Sequence, residues 1–330
     1  MAATIEDIKK LRTMTGAGLG DCKKALAEAD GDMEAAIEII RKKGQAVAAK
    51  RSDRETSNGC VLVKADGGFA AIIALKCETD FVANNKDFVA LTQQILDLAV
   101  AHKCQTLDEV KALPMGGGTV QDAVVDRSGI TGEKMELDGY LTLTGEYIST
   151  YNHQGRNTLC TMVQLTKPAE EQGHNIAIQI AAMNPVAVDE ASVPQDVKDN
   201  EMKVALEKTR EEQVKKAVEA ALKKAGFNLY IAESEEHLEE GIRKGNITEA
   251  QADEIRQLKE KTAAEKLQNL PEQMIQNIAN GRMNKFYKDF TLVNQEMALI
   301  DGTPTVAEYL RQADADLKVT AFHRFTLVAE

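Results

Sequence analysis

The apolar positions of the first 54 residues recur at helical intervals. Ile5, Ile8 and Leu11 share one face of a first segment. Ala25, Leu26 and Ala29 mark a second segment that Asp21 can cap, and Met33, Ile37 and Ile40 a third after the turn Asp30-Gly31-Asp32. Continuous apolar runs then take over. Cys60-Val61-Leu62-Val63-Lys64 and Phe69-Ala70-Ala71-Ile72-Ile73-Ala74-Leu75 flank Asp66-Gly67-Gly68, which predicts a β-hairpin. Phe88, Leu91, Ile95 and Leu98, at steps of three, four and three, predict a helix from about Lys86 to Ala101.

The pattern repeats. Thr119 to Val125, a glycine-bearing turn and Met135 to Leu143 read as helix then strand; so do Thr305 to Leu310, an acidic turn and Leu317 to Val328. Upstream of the first lie the hairpin and helix of Asn58 to Ala101. Upstream of the second, Gly145 to Leu165 holds two strand-like runs around Gln154-Gly155, and His174 to Met183 is helical. Each copy is hairpin, helix, helix, strand, which predicts an α+β chain with two related lobes. The second copy is interrupted between Pro194 and Pro271 by charged, alanine-rich helix. Val214, Val218, Ala221 and Leu222 lie on one side, and Ile255 and Leu258 on the return, with Gly226 and Gly245-Asn246 bracketing the reversal. A long antiparallel helical hairpin is expected there. Two arrangements satisfy its narrow apolar stripe: packing within the hairpin, or homodimer formation with a second copy of the chain.

Charge and composition narrow the function. With 40 Lys and Arg against 52 Asp and Glu the net charge is −12, which disfavours a protein that holds nucleic acid by neutralising phosphates. Eight Phe, six Tyr and no Trp leave little for base-stacking platforms. The residues from Met1 to Asp7 lack the basic and apolar regions of a signal peptide, and no stretch approaches 18 uncharged apolar residues. Five scattered cysteines, with no CxxC spacing, fit reduced thiols in a cytoplasm better than disulfides or a four-sulfur zinc site. A cytoplasmic protein with no membrane partner is expected.

Little of the sequence carries chemistry. Gly16-Ala17-Gly18-Leu19-Gly20 precedes a helix, but a phosphate cradle needs a strand before it, and Ile5 to Arg12 is helical. Gly116-Gly117-Gly118 reads as a flexible connection. His102 and Cys104 are two potential metal ligands, and two do not make a site; they read as exposed helix-end residues. Six basic residues between Arg41 and Arg54 read as a solvated helix end rather than an anion patch. His153, beside Tyr151, has no nucleophile nearby in sequence. Neither an enzyme site, a metal site nor a cofactor is expected. One segment resists a bland reading: in Cys77-Glu78-Thr79-Asp80-Phe81-Val82-Ala83-Asn84-Asn85 a large apolar pair falls in a connection, where such groups are usually absent. Phe81 either staples inward onto the lobe or projects as an anchor for a partner.

At these residues the chain resembles the elongation factor Ts family. The matches are Leu11-Arg12 with Thr15-Gly16-Ala17-Gly18 and Asp21-Cys22-Lys23-Lys24-Ala25-Leu26, then Cys77-Glu78-Thr79-Asp80-Phe81-Val82-Ala83. Ile176-Ala177-Ile178-Gln179-Ile180-Ala181-Ala182 with Asn184-Pro185, and Gly281-Arg282-Met283 with Lys285-Phe286, follow in family order. The resemblance implies a ubiquitin-associated (UBA)-like three-helix domain and linker at 1–54. A core lobe follows at 55–144, a second at 145–193 with 287–330, and the inserted hairpin at 194–286.

It further implies a guanine-nucleotide exchange factor that binds elongation factor Tu, GDP-bound and nucleotide-free, without covalent chemistry. Phe81 would enter an apolar pocket between two helices of the partner's GTPase domain and Asp80 would bond beside it. Thr79 and Val82 would complete the wedge, disturbing magnesium and phosphate binding. Leu11, Met14 and Leu19 would touch the GTPase domain, and Tyr151 and His153 match a Tyr-x-His contact stretch. The chain departs from the family pattern at Leu19, which Gly20 follows where a second large apolar residue is frequent. It also ends at Leu327-Val328-Ala329-Glu330, without the short helix some members carry after the last strand. Two other classes of function are open. A UBA-like adaptor without exchange activity leaves Thr79 to Val82 without a role, and a dinucleotide enzyme on Gly16 to Gly20 lacks its strand.

Overall fold

The computed structural model describes residues 4–328; Met1–Ala3, on which the leaderless start is partly read, and Ala329–Glu330, the end of the expected last lobe, lie outside them. The chain forms two compact units, Met1–Val188 with Gln295–Glu330, and Asp189–Asn294.

The first unit begins with three helices. Thr4 and Asp7 form a capping box on α1 (Ile5–Thr15), which stops at Gly16 in the left-handed region. α2 (Leu19–Glu28) and α3 (Met33–Lys50) follow, and Leu11, Cys22, Ala25, Leu26 and Ala36 close their core. The expected hairpin is β1 (Asn58–Asp66) and β2 (Phe69–Cys77), turned by Gly67 and Gly68 at positive φ. After it come α4 (Asp80–Ala83), α5 (Lys86–Ala101), α6 (Leu107–Ala112) and a ribbon of β3 (Pro114–Met115) with β4 (Gly118–Thr119). The triple glycine expected as a flexible connection is thus the turn of that ribbon, at Gly116 and Gly117, and the first residue of β4, Gly118. α7 (Val120–Thr131) and β5 (Met135–Thr144) complete the lobe, in a fully antiparallel sheet of order β1-β2-β5.

The second lobe starts with β6 (Tyr147–Asn152), β7 (Leu159–Leu165) and α8 (Glu170–Met183). The chain then builds the second unit from α9 (Gln195–Lys224), α10 (Leu229–Ala232), α11 (Glu235–Arg243), α12 (Glu249–Gln268) and α13 (Glu272–Phe290). It returns as α14 (Val306–Ala313) and β8 (Val319–Thr326), giving a second antiparallel sheet of order β6-β7-β8. The two lobes share one plan, as the repeat predicts.

β2 is the most enclosed strand. Phe69, Ala71, Ile73 and Leu75 pack with Phe88, Ile95, Leu96 and Ala99 of α5. Ala70, Ile72 and Ala74 pack with Cys160 and Met162 of β7. Both faces are buried, which is why the run reads as continuously apolar rather than alternating.

The three helices are fixed to the first lobe by a close crossing of α3 on α7. A Cβ at Gly129 would clash with the Cα of Gly44, and one at Gly44 would stand 3.0 Å from the Val125 carbonyl oxygen. Arg41 pairs with Asp126 at 3.8 Å beside the crossing, and Ile130 packs onto the three-helix core.

In the second unit Val218, Leu222, Ile255 and Leu258 of the expected stripe pack into one cluster with Ala252 and Leu238, so these stripe residues pack inside the unit. The unit is more than a two-helix hairpin. Two short helices fill the reversal, and a further helix, α13, packs on α9, with Arg210–Glu272 at 2.8 Å and Arg282–Glu212 at 2.6 Å. The glycines at 226 and 245 read as one reversal because the helices between them, of four and nine residues, leave too few turns to establish a period.

Gly129→Ala is expected to destabilise the protein by about 1–3 kcal/mol in urea unfolding, because α3 and α7 must part to admit the methyl group. Gly281→Ala, in α13 with open space around it, is expected to stabilise its unit by about 0.5–1 kcal/mol.

Candidate functional site

β2 ends at Cys77, and the next eight residues leave the end of this central strand as a turn around α4. Thr79 caps this helix: its hydroxyl accepts from the Val82 N–H at 3.4 Å, and its carbonyl accepts from the Ala83 N–H at 3.1 Å. Val82 and Ala83 pack against the lobe core. Phe81 does not follow them; its ring is 85% exposed. Of the two readings open for Phe81, the structure takes the projecting one. A phenyl side chain this exposed leaves an association energy of up to about 1.5–3 kcal/mol unrealised.

Two carboxylates hold the turn from beneath. Glu78 accepts from both sides: Arg51 Nη1 lies 2.8 and 2.9 Å from its two oxygens, and the Lys134 N–H is 2.6 Å from Oε1. The backbone amide of Lys134 foremost, then Arg51, hold the Glu78 carboxyl below its ordinary value against some opposing desolvation. Glu133 accepts from the Thr79 N–H at 3.1 Å and from the Thr79 hydroxyl at 2.7 Å. Asn58 Nδ2 donates to the Glu78 carbonyl at 2.9 Å. After α4, Asn85 caps α5, accepting from the Asp87 N–H at 2.9 Å and from Arg127 Nη2 at 3.1 Å. Asn58, Glu133 and Lys134 do not stand out in the sequence, since none sits in a spacing that signals chemistry, and Arg51 is marked there only as one of the basic residues of the 41–54 stretch.

The other expected contact residues fall on the same unit. Asp80 is exposed and lines a cleft of about 280 Å³ with Asn84, Arg156, Asn157 and Leu327. Met14 and Leu19 are 57% and 49% exposed. Met14 also borders a cavity of about 340 Å³ with Ile37, Leu91, Asp126 and Arg127. Leu11 differs from its expected role as a surface contact. It points into the three-helix core and is fully buried, so it supports the surface rather than forming it. Tyr151 and His153 are half-buried, with the hydroxyl and Nδ1 3.2 Å apart, and Tyr151 packs edge-on against His174.

Of the six basic residues in the 41–54 stretch, Lys42, Lys43, Lys50 and Arg54 are exposed as a solvated helix end requires, but Arg41, Lys43 and Arg51 also have acidic partners. Lys43 bonds Asp21 at 2.6 Å, Arg41 pairs with Asp126, and Arg51 holds Glu78. Cys104, expected at an exposed helix end, is buried, while its neighbour His102 is exposed. Among the described residues no group of three or more His, Cys, Asp or Glu is arranged to hold a metal ion, and no helix is long and apolar enough to cross a membrane. All five cysteines are buried and unpaired. Burial pushes the Cys60 thiol up to about 11 and those of Cys77 and Cys160 up to about 12.

The sequence profile of the family described as "Elongation factor TS" matches residues 78–329, beginning at the first residue after β2. The proteins named elongation factor Ts from Parabacteroides distasonis and Phocaeicola vulgatus are 62% and 63% identical to the chain over 330 residues, covering the whole of both sequences. The namesake from Porphyromonas gingivalis is 42% identical over 332 residues, again with full coverage of both.

Glu78 has a depressed folded-state pKa, so its contribution to stability is present above the ordinary value of 4.5 and fades as pH falls through the folded one. Glu78→Gln is therefore expected to cost on the order of 1 kcal/mol at pH 7. The gap between wild type and variant should close as unfolding curves are recorded at successively lower pH below 4.5.

Proposed function

The chain belongs to the elongation factor Ts family, and from that premise we propose that it is a guanine-nucleotide exchange factor for elongation factor Tu in translation elongation. The observation that carries this reading is Phe81, a large apolar side chain held 85% exposed on a turn anchored to the lobe. A ring so presented is suited to an apolar pocket in a protein partner.

In the proposed mechanism Phe81 inserts between two helices of the partner's GTPase domain, and Asp80, exposed beside it, accepts a hydrogen bond at the pocket rim. Thr79 and Val82 fix the turn from behind. The insertion displaces a helix, loosens the contacts to magnesium and phosphate, and GDP leaves. No bond is made or broken. The whole effect is differential binding: if the factor weakens GDP binding by some ratio, GDP weakens binding of the factor by the same ratio. Each tenfold needs about 1.4 kcal/mol, a scale that one buried ring and a few hydrogen bonds can supply. GTP completes the exchange by displacing the factor.

Met14 and Leu19 extend the apolar contact from the three-helix part, with Leu11 beneath them. Tyr151 and His153 supply a polar contact from the second lobe. The cytoplasm is the compartment in which this partner is met, and five thiols without a disulfide suit it.

Release of a fluorescent GDP analogue from elongation factor Tu, followed by stopped flow, tests the reading. The wild type is expected to accelerate release strongly. Phe81→Ala is expected to lose about 10- to 100-fold of the rate at subsaturating factor, the equivalent of one buried ring. Acceleration that survives the substitution keeps exchange and moves the wedge elsewhere. A wild type that binds without accelerating returns the chain to an adaptor.

A further inference from the structure

We propose that Glu133 is a positioning residue for the wedge: its carboxylate grips Thr79 at two points and so sets the direction in which Phe81 projects. The functional consequence rests on the exchange reading above; the geometry does not.

A four-residue helix has no stability of its own, because nucleation costs more than one turn of hydrogen bonds returns. The orientation of α4 must come from outside it. Thr79, its cap, has two donors, and one carboxylate takes both. Glu133 Oε2 accepts from the backbone N–H and Oε1 from the hydroxyl, while that same hydroxyl oxygen accepts from Val82 N–H inside the helix. Two bonds from one rigid planar group fix rotation as well as position.

The arrangement continues the sheet by other means. The last paired residues of β2 and β5 are Cys77 and Met135. Beyond them Glu78 meets Lys134, and Thr79 meets Glu133, in the same antiparallel register. The acceptors at these two further steps are side-chain carboxylates rather than main-chain carbonyls, so the strand pairing passes into the turn instead of stopping at the end of the strands. Glu133 is itself anchored. It directly follows Gly132, the left-handed cap of α7, and its N–H donates to the Thr131 hydroxyl at 3.3 Å.

A turn held this way is ordered before the partner arrives, so less entropy is lost on docking. Released, it would populate the docking-competent orientation only part of the time. The apparent affinity would fall by that fraction, and the rate at saturation would be kept. That split separates positioning from direct action in the exchange step, which would lower the saturating rate. A general loss of fold also raises half-saturation, by lowering the active concentration; hydrogen exchange tells it apart, since it would deprotect the core strand as well as the turn.

The test measures GDP release from elongation factor Tu over a range of factor concentrations for wild type, Phe81→Ala, Glu133→Ala and Glu133→Gln. Amide hydrogen exchange of each free protein accompanies it. Glu133→Ala is expected to raise the half-saturating concentration roughly three- to tenfold and to leave the maximal rate within about twofold. Glu133→Gln, which keeps one acceptor oxygen, should fall between it and wild type, and it carries the test if the alanine variant does not fold. Amides from Thr79 to Asn85 should lose protection in Glu133→Ala, with those of Ile72 to Leu75 unchanged. Half-saturation equal to wild type, while Phe81→Ala is impaired, would overturn the positioning role, as would unchanged protection of the turn. A loss confined to the maximal rate would overturn it too. If the wild type itself fails to accelerate release, the exchange reading falls, and hydrogen exchange alone then decides whether Glu133 holds the turn.

Discussion

Strand β2 has no face left for water, and the first unit is organised around that constraint. Its odd-numbered apolar residues are taken by α5 and its even-numbered ones by β7. Burying side chains such as Ile72 and Ile73 contributes about 1.5–3 kcal/mol each, but only if both layers are present at once. The second lobe is therefore the other half of the first lobe's core. The close backbone bond from Val61 to the Asn157 carbonyl, at 2.7 Å, and the Cys160 thiol on the Val61 carbonyl tie β1 into the same seam. A strand enclosed this completely gives its end a fixed place in space, and the turn bearing Phe81 leaves from that end.

The three-helix part is joined to the lobe by two kinds of contact that work over different ranges. At the α3–α7 crossing two glycines let main chains touch, which sets distance and angle through packing alone. Seven residues further on, the Arg51 guanidinium reaches Glu78, the residue before the cap of α4. The surface bearing Met14 and Leu19 and the turn bearing Phe81 thus share a mechanical frame, although they lie some sixty residues apart in sequence. In the proposed exchange reaction, that frame lets two separated apolar contacts be presented together.

The legibility of this molecule in its sequence divides along the same line. Elements with a period were readable: α5 runs over the predicted Lys86–Ala101, and the duplication emerges as two sheets of matching order. Caps are legible only in part: Asp32 and Thr79 cap the helices that follow them, but Asp21, expected to cap the second helix, lies inside α2, whose cap is Gly18 with no side-chain bond. What could not be read were contacts between distant residues. Arg51 looks like any base at a helix end until Glu78 is placed against it, and Glu133 is one acid among many until its register with Thr79 is known. The resemblance puts Leu11 at the surface, whereas its phase with Ile8 puts it on the core side of α1, where it is buried. Phe81 shows the limit from the other side. Local sequence marks it as unusual, but only the bonds beneath the turn decide that it faces outward.

The burial of the five thiols has a practical consequence for chemistry done on the molecule from outside. A thiol with a pKa near 12, such as those of Cys77 and Cys160, is ionised at neutral pH to about one part in 10⁵, and it lies beneath packed side chains where reagents do not reach. The folded protein is in effect silent toward maleimides and iodoacetamides. A single cysteine introduced at an exposed position would then be the one reactive sulfur, so a fluorophore or spin label could be attached to the native chain without first removing the five it already has.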